Sequence, residues 1–218
     1  MKFSCIIPAY NEWPCIANVL WVVLACDELD EIIVVDDGST DNTWSIIDTF
    51  DNPKLQKIHL ERNQWKMNAF FIWFERTSGT HIVMIDADFL GLLSDHITEL
   101  ISPVRTQKVD STMMMWNESL CICKLLKHDL FSWMRVLPRG VFTDKAFFLS
   151  GSRFALEAKI NEVLYKNKMS VLSLYFPEIH NPSKWWKQIL WKQPRDILGS
   201  ISFLKLIRQA WYIYKQQP

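Results

Sequence analysis

Acidic residues follow apolar segments at three places in the first half of the chain. Asp86-Ala-Asp88 ends the segment that begins at Ile82, Asp36-Asp37 ends the segment that begins at Ile32, and Glu12 comes shortly after Ile6-Ile-Pro8. Carboxylate oxygens are the ligands that Mg²⁺ and Mn²⁺ take together with the phosphate oxygens of a substrate. These residues therefore indicate a cation site or a pocket for a nucleotide.

Each acidic segment also has a simpler interpretation. With 14 aspartates in 218 residues, about one Asp-x-Asp pair is expected by chance, so Asp86 and Asp88 gain weight only from their place after an apolar segment. They are also compatible with a solvated strand end or a helix cap. Asp36-Asp37-Gly38-Ser39 is equally compatible with a turn followed by a helix cap.

The elements that would position these residues are predicted from the hydrophobic spacing. Strands and helices alternate through the first hundred residues, an order typical of a parallel sheet covered on both faces. Because ligands of such sheets bind beyond the carboxyl ends of the strands, the acidic segments should meet at one edge. The predicted strands are Phe3 to Pro8, Glu31 to Asp36, Leu55 to Leu60 and His81 to Asp86. The predicted helices are one with Ile16, Val19, Leu20, Val23 and Leu24 on one face, one capped by Asp41 with Ile46, Ile47 and Phe50, and Lys66 to Arg76.

The signal is weaker beyond residue 94. Ser94 is predicted to cap a short helix that Pro103 ends. Further strands are predicted at 110–116, 119–123 and 170–176, and further helices at 124–137 and 154–167.

Composition predicts one globular domain, residues 1–218, with ordinary charge. Lys and Arg number 24, as do Asp and Glu, so there is no general case for nucleic acid binding. The charge is nevertheless uneven: residues 1–101 carry 6 basic and 16 acidic side chains, residues 102–182 carry 11 and 7, and residues 183–218 carry 7 and 1. This division predicts that the three segments, of which the last is a basic tail, have different tasks.

Cysteines and apolar segments predict a reduced, cytoplasmic chain. The five cysteines form no Cys-x-x-Cys pair, and the first apolar stretch is too short for a signal peptide. Cys121 and Cys123 fit alternation on a strand better than half of a metal site. No apolar run approaches the roughly 18 residues needed to span a membrane.

The motifs, taken in order, resemble family 2 glycosyltransferases of the GT-A fold. Three segments carry the resemblance with high specificity: Ile6-Ile-Pro-Ala-Tyr-Asn-Glu12, Ile32-Ile-Val-Val-Asp-Asp-Gly-Ser-Thr-Asp41 and Ile82-Val-Met-Ile-Asp-Ala-Asp88. Three later segments resemble the family less strongly: Ser132-Trp-Met-Arg-Val-Leu137, Gly151-Ser-Arg-Phe-Ala-Leu-Glu157 and Phe176-Pro-Glu-Ile-His180. The resemblance implies an α/β fold with a mostly parallel, Rossmann-like sheet and transfer of a sugar from a nucleotide-diphosphate sugar to an acceptor hydroxyl. It also implies that residues 1–101 form the nucleotide-sugar-binding half and residues 102–182 the acceptor half.

The resemblance also implies roles for particular residues. The base and ribose of the donor would be lined by Pro8, Ala9, Tyr10, Glu12 and Asp37, and Lys66 would meet the diphosphate. Mg²⁺ or Mn²⁺ would be held by Asp88 with Asp86 and His180. Glu157 would take the proton of the acceptor hydroxyl, with inversion at the sugar, although an exposed helix acid is the alternative. Arg135 would meet a phosphate, the alternative being a surface ion pair.

Two other functions remain open at this point. A sugar nucleotidyltransferase would share the α/β fold, but the glycine-rich basic opening that wraps a triphosphate is missing after the first strand. A non-catalytic nucleotide-sugar-binding protein would share every motif. P-loop and dinucleotide-binding fingerprints are absent from the sequence, which weighs against those classes of enzyme.

Tryptophan stands at several positions where the family usually has glycine. The chain holds 6 glycines and 11 tryptophans, whereas about 15 glycines are expected at this length. We hypothesise that many of these tryptophans are glycine in the natural protein, for instance through a UGA codon read as glycine in the source organism. The alternative is that they are genuine and pack in the core. The positions are Trp13, Trp65, Trp73, Trp116 and Trp133.

The basic tail, residues 183–218, is predicted to form an amphipathic helix. Its apolar stripe consists of Ile197, Ile201, Leu204, Ile207, Trp211 and Tyr214. The stripe favours packing on the domain, and the alternative is contact with an anionic membrane at its inner face. In the second case the acceptor would be lipid-linked or a polysaccharide precursor.

Overall fold

The computed structural model of the chain describes residues 1–64, 66–116, 132–144, 146 and 155–180, without the side chains of residues 66–69 and 155. Its strands are β1 (Phe3–Ala9), β2 (Glu31–Asp36), β3 (Leu55–His59), β4 (His81–Met84), β5 (Ser111–Trp116), β6 (Arg135–Pro138) and β7 (Val171–Phe176). Its helices are α1 (Ile16–Leu24), α2 (Thr43–Asp48), α3 (Lys66–Phe74), α4 (Ser94–Arg105) and α5 (Ala155–Lys166), and a 3₁₀ turn spans Arg139–Phe142.

The strands form one mixed sheet in the order β3-β2-β1-β4-β6-β5-β7. β1, β2, β3 and β4 are parallel, and β5 pairs in parallel with β7. β6 is antiparallel to both of its neighbours, β4 and β5. The predicted mostly parallel α/β sheet is therefore confirmed.

Helices cover both faces of the sheet because the strand side chains alternate between them. On one face, Cys5 and Ile7 of β1 belong to the core formed with α1, α2 and α4. On the other, Ile6 packs into the cluster that contains α3 and α5. Ala158, Ile160 and Leu164 of α5 are buried, as the helical spacing predicts.

Helix ends differ from the predictions in detail. Pro103 does not end α4 but lies inside it, and the helix continues to Arg105. Proline removes one helical hydrogen bond, and the helix ends within the following turn. Asn42, not Asp41, stands at the N-cap of α2, although the Asp41 carboxylate accepts the Thr43 N–H at 2.9 Å. Ser94 is the first residue of α4 and Leu93 is its N-cap.

The prediction of a helix over 124–137 is wrong for its last part. Residues 132–134 are irregular, and Arg135–Pro138 form β6. Val136 and Leu137 are buried between β4 and β5, so pairing with strands distant in sequence outweighs the local helical spacing. Residues 117–131, which include the strand predicted at 119–123 and both Cys121 and Cys123, lie outside the described residues.

Three of the five cysteines lie in the described part of the chain. Cys5, Cys15 and Cys26 are free and buried. Burial raises the pKa of all three thiols, which keeps them protonated and unreactive. None of the helices within the described ranges is long and apolar enough to cross a membrane.

Candidate donor and metal site

The carboxyl ends of the four parallel strands meet at one edge of the sheet. Ala9, Asp36 and His59 form a row across β1, β2 and β3 through their registered pairing. β4 ends at Met84, and the Ile85 N–H still donates to the Ile6 carbonyl at 3.1 Å. The predicted acidic segments are thus brought to the same edge.

Asp86 and Asp88 are buried at this edge, with 6% and 7% of their surface exposed. Two carboxylates fit Mg²⁺ or Mn²⁺, which in substrate sites is commonly held by one or two carboxylates with phosphate and water oxygens completing the shell. Within the described residues no three His, Cys, Asp or Glu side chains form a ready metal cluster. The donor set therefore fits a cation that arrives with a phosphate-bearing substrate.

His180 is attached to the loop that carries the two aspartates. Its backbone N–H donates to the Leu90 carbonyl and the Leu90 N–H donates to the His180 carbonyl, both at 2.9 Å. Gly91 has a φ of +77°, and a Cβ at that position would collide with the Glu178 carbonyl. A side-chain contact adds to this connection, since His96 Nε2 lies 2.8 Å from Glu178 Oε1.

The loop after β1 presents the predicted donor-binding residues at different depths. Pro8 and Ala9 are buried, Glu12 is half-buried, and Tyr10 is exposed. Asn11 has a φ of +55°, a left-handed conformation that asparagine tolerates better than most residues. This turn directs the chain from β1 towards the loop that follows β2.

Asp37 is buried beside the ends of β1 and β3. Its backbone N–H donates to the Ala9 carbonyl at 2.8 Å, and its carboxylate accepts the Gln64 N–H at 2.8 Å. Lys66 begins α3 two residues later in the chain, but its side chain lies outside the described part, as does Trp65.

Arg135 is fully buried at the start of β6, so the alternative of a surface ion pair is wrong. Its Nε donates to the Ser132 carbonyl at 2.6 Å and its Nη1 donates to Asn161 Oδ1 at 2.5 Å. Arg135 therefore connects β6 to α5 from within the core. A phosphate contact by Arg135 stays a prediction.

Glu157 is half-buried in the first turn of α5. Asn161 stands one turn further along and contacts Arg135, which pairs in register with Met84 at the end of β4. A short connection joins the C-terminus of α5 to the start of β7, so α5 runs antiparallel to that strand and its N-terminus lies towards the carboxyl edge of the sheet. Glu157 precedes Asn161 by four residues, which places it about 6 Å closer to that edge along the helix axis. The catalytic role of Glu157 stays a prediction.

Four of the five tryptophans at positions where the family usually has glycine lie in the described part of the chain, and their backbone conformations do not require glycine. None of Trp13, Trp73, Trp116 and Trp133 has a positive φ. Trp116 packs edge-to-face on Phe89 and Trp133 does the same on Phe70, with ring centroids 5.8 and 5.9 Å apart. Trp73 is 1% exposed, yet its indole N–H has no hydrogen-bond partner among the described residues, an arrangement that costs free energy. The glycine hypothesis stays a prediction.

Sequence reasoning missed the hydrogen bonds by which several polar residues organise this edge, namely Asn11, Asp36, Ser39 and His59. Their partners are 3 to 29 residues apart in the chain. The available signal was that Asn11 lies three residues after the first predicted strand and His59 lies next to the last residue of the third, where polar residues collect.

The fold and the acidic edge together define the GT-A class of nucleotide-sugar-dependent proteins, and the comparisons agree. Residues 4–162 match the family model described as Glycosyl transferase family 2. The chain therefore belongs to glycosyl transferase family 2. The predicted resemblance, fold class and class of enzyme are confirmed.

Solved structures with this fold include two enzymes studied with nucleotide ligands. Glucosyl-3-phosphoglycerate synthase from Mycobacterium tuberculosis, in complex with Mn²⁺, UDP-Glc and phosphoglyceric acid, matches with a TM-score of 0.68 and 18% identity, over 96% of this chain and 79% of that chain. A mannosyltransferase from Pyrobaculum calidifontis, in complex with GDP-Man and Mn²⁺, matches with a TM-score of 0.65 and 18% identity, over 80% of this chain and 55% of that chain.

A relative with higher sequence identity is known in Pseudomonas syringae pv. syringae (strain B728a). It is an undecaprenyl-phosphate 4-deoxy-4-formamido-L-arabinose transferase, 31% identical over 138 residues, which are 55% of this chain and 41% of the relative. The match thus spans about two fifths of that relative's length.

Proposed function

We propose that the protein transfers a sugar from a nucleotide-diphosphate sugar to an acceptor hydroxyl. The observation that carries the proposal is the meeting of Asp37, Asp86 and Asp88 at the carboxyl edge of the sheet, all of them buried. Family membership favours a transferase over a nucleotidyltransferase, and only turnover separates it from a non-catalytic binding protein.

The donor would lie across the ends of β1, β2 and β4. Pro8, Ala9, Tyr10, Glu12 and Asp37 would contact its base and ribose, and Lys66 its phosphates. Asp86 and Asp88, with His180 from the attached segment, would hold Mn²⁺ or Mg²⁺. The cation would neutralise charge that develops on the departing diphosphate. Both structural relatives named above were studied with Mn²⁺ and a nucleotide sugar, which supports this choice of cofactor.

Glu157 would act as the general base in a direct displacement. From the first turn of α5 its carboxylate would accept the proton of the attacking hydroxyl, which approaches the anomeric carbon from the side opposite the diphosphate. The bond from the sugar to the diphosphate oxygen breaks as the new glycosidic bond forms, so the configuration inverts.

A lipid-linked acceptor is the proposal that the comparisons favour, with a polysaccharide precursor as the alternative. The relative from Pseudomonas syringae is described as an undecaprenyl-phosphate transferase. The 7 basic residues of the tail, which lies outside the described residues, would add attraction to an anionic membrane surface at its cytoplasmic face.

The experiment is a screen of UDP- and GDP-linked sugars for binding in the presence of Mn²⁺, followed by turnover with a short polyprenyl phosphate. We expect one donor to bind with Mn²⁺ and to lose affinity with EDTA. Binding without turnover on any acceptor would favour the non-catalytic alternative, and no binding of any nucleotide would contradict the proposal.

A further inference from the structure

We infer that Asp36 and His59 are positioning residues that shape the donor pocket without contacting the donor. This inference rests on the proposed function. It concerns Asp36, which the sequence marks only as part of an acidic strand end, and His59 on the neighbouring strand, which the sequence marks only as part of a predicted strand.

Both oxygens of the Asp36 carboxylate are engaged inside the protein. Asp36 has no exposed surface, and its Oδ2 lies 2.6 Å from His59 Nδ1. Its Oδ1 accepts the backbone N–H of Ser39 at 3.2 Å and also the Ser39 hydroxyl. A fully buried carboxylate with these partners acts on a ligand only through the groups that it holds.

The first of these groups fixes the loop after β1. The Ser39 hydroxyl, which donates to Asp36, accepts the Asn11 N–H at 2.9 Å. Asn11 in turn accepts the Thr40 N–H through its Oδ1 at 2.9 Å. Because Asn11 lies between Tyr10 and Glu12, this chain of hydrogen bonds sets the position of both predicted donor contacts.

The second group fixes the segment that leads to Lys66. His59 ends β3, its ring packs on Trp44 with centroids 4.9 Å apart, and its Nδ1–H points to Asp36. The next residue, Leu60, donates its N–H to the Asp36 carbonyl at 2.9 Å. The connection after β3 is therefore held against the end of β2 by both the side chain and the backbone of Asp36.

Gly38 tightens the same junction. It has a φ of +72°, and a Cβ there would come within 2.6 Å of the backbone carbonyl carbon of Arg62. The close approach lets the Gln64 N–H reach the Asp37 carboxylate. Asp36 thus anchors three loops: the loop after β1, with Tyr10 and Glu12; the loop after β2, with Asp37; and the segment after β3 that leads to Lys66.

The test compares two substitutions of His59. Asparagine places an amide N–H close to the position of Nδ1–H, whereas leucine removes the donor and leaves the buried carboxylate short of a partner. His59→Leu should weaken the binding of UDP or GDP with Mn²⁺ by about tenfold or more, and His59→Asn should stay within about threefold of the unmodified protein. Isothermal titration calorimetry measures both.

A positioning role predicts a specific pattern in the kinetics. His59→Leu should raise the KM of the donor sugar while kcat stays within about threefold, since Asp88 and Glu157 lie on other elements. Asp36→Ala should behave like His59→Leu or more severely. If Asp36→Ala does not fold, the two His59 variants, which change a side chain that is 39% exposed, still decide the question.

Asp30→Ala is the matched control at the opposite edge of the same strands. Its carboxylate accepts the Phe3 N–H at 2.7 Å, so its loss should lower thermal stability without changing nucleotide affinity. Normal nucleotide binding by His59→Leu, or equal losses in Asp30→Ala, would overturn the positioning role. If the unmodified protein binds neither nucleotide, the proposed function fails and this inference fails with it.

Discussion

His180 and Leu90 exchange two backbone hydrogen bonds of 2.9 Å, which attach the segment after β7 to the loop that carries Asp86 and Asp88. The three predicted metal ligands therefore belong to one joined pair of loops although Asp88 and His180 are 92 positions apart in the chain. Because the attachment is made by backbone groups, side-chain substitutions at these positions should leave it in place.

Asp88→Ala should abolish the metal-dependent binding of nucleoside diphosphate while the fold stays intact. Asp88 is buried beyond the end of β4, and its loss would remove a hard oxygen ligand of the proposed Mn²⁺ or Mg²⁺ site. Calorimetric titration of UDP and GDP with and without Mn²⁺ measures the effect, and circular dichroism checks the fold. Asp95→Ala, at an exposed acid in the first turn of α4, is the control that should bind UDP or GDP with Mn²⁺ as the unmodified protein does. Unchanged titration of Asp88→Ala would contradict the metal assignment.

Most elements from β1 to α4 were predictable because the strands are short apolar runs, the helices have a hydrophobic spacing, and polar residues separate them. Leu20 and Val23 of α1, for example, are buried as their spacing predicts. β6 was not predictable, since its four residues gain their stability from β4 and β5. The same holds at the site: the acidic strand ends were visible, but nothing in the sequence pairs Asp36 with His59 across 23 positions.

Glu31 should make the stability of the fold depend on pH. Burial raises the pKa of its carboxyl, but hydrogen bonds from Ser4, Ser78 and the Gly79 N–H outweigh that effect and leave the pKa lowered from 4.5. A lowered folded-state pKa means that the stabilisation is complete above about pH 4.5 and is lost as the pH falls below it.

Glu31→Gln should therefore lower the free energy of unfolding by about 1 to 3 kcal/mol at pH 7, and the difference from the unmodified protein should shrink towards pH 3. Urea unfolding at several pH values measures it. Glu99→Gln, at an exposed acid of α4, is the control. A loss that is equal at pH 7 and pH 3 would show that the carboxylate charge is not involved.

The basic tail should bring the protein to anionic vesicles if the acceptor is lipid-borne. Exposed charges are screened beyond about 8 Å at physiological ionic strength, so binding should fall as salt is added. Cosedimentation with vesicles that contain anionic lipid measures this, and vesicles of neutral lipid are the control. Equal partition onto both kinds of vesicle, or none onto either, would favour packing of residues 183–218 on the domain.

The codons of Trp13, Trp65, Trp73, Trp116 and Trp133 should be UGA if these residues are glycine in the natural protein. The buried indole N–H of Trp73, which has no hydrogen-bond partner among the described residues, is consistent with a glycine at that position in the natural protein. Sequencing of the gene and mass spectrometry of the protein from its source organism decide the matter. Five UGG codons would end the hypothesis, and the tryptophans would then be genuine core residues.

Glu157→Gln should keep the affinity for donor within a few fold and reduce turnover by about 10² to 10⁴, because the amide cannot accept the proton of the acceptor hydroxyl whereas donor binding needs no base. Calorimetry and a product assay separate the two quantities, and NMR of the product should show inversion at the anomeric carbon. Glu162→Gln on the same helix, where Glu162 pairs with Lys166 at 3.0 Å, should keep normal turnover. Retained turnover in Glu157→Gln, or a donor affinity that collapses with it, would remove Glu157 from the catalytic role.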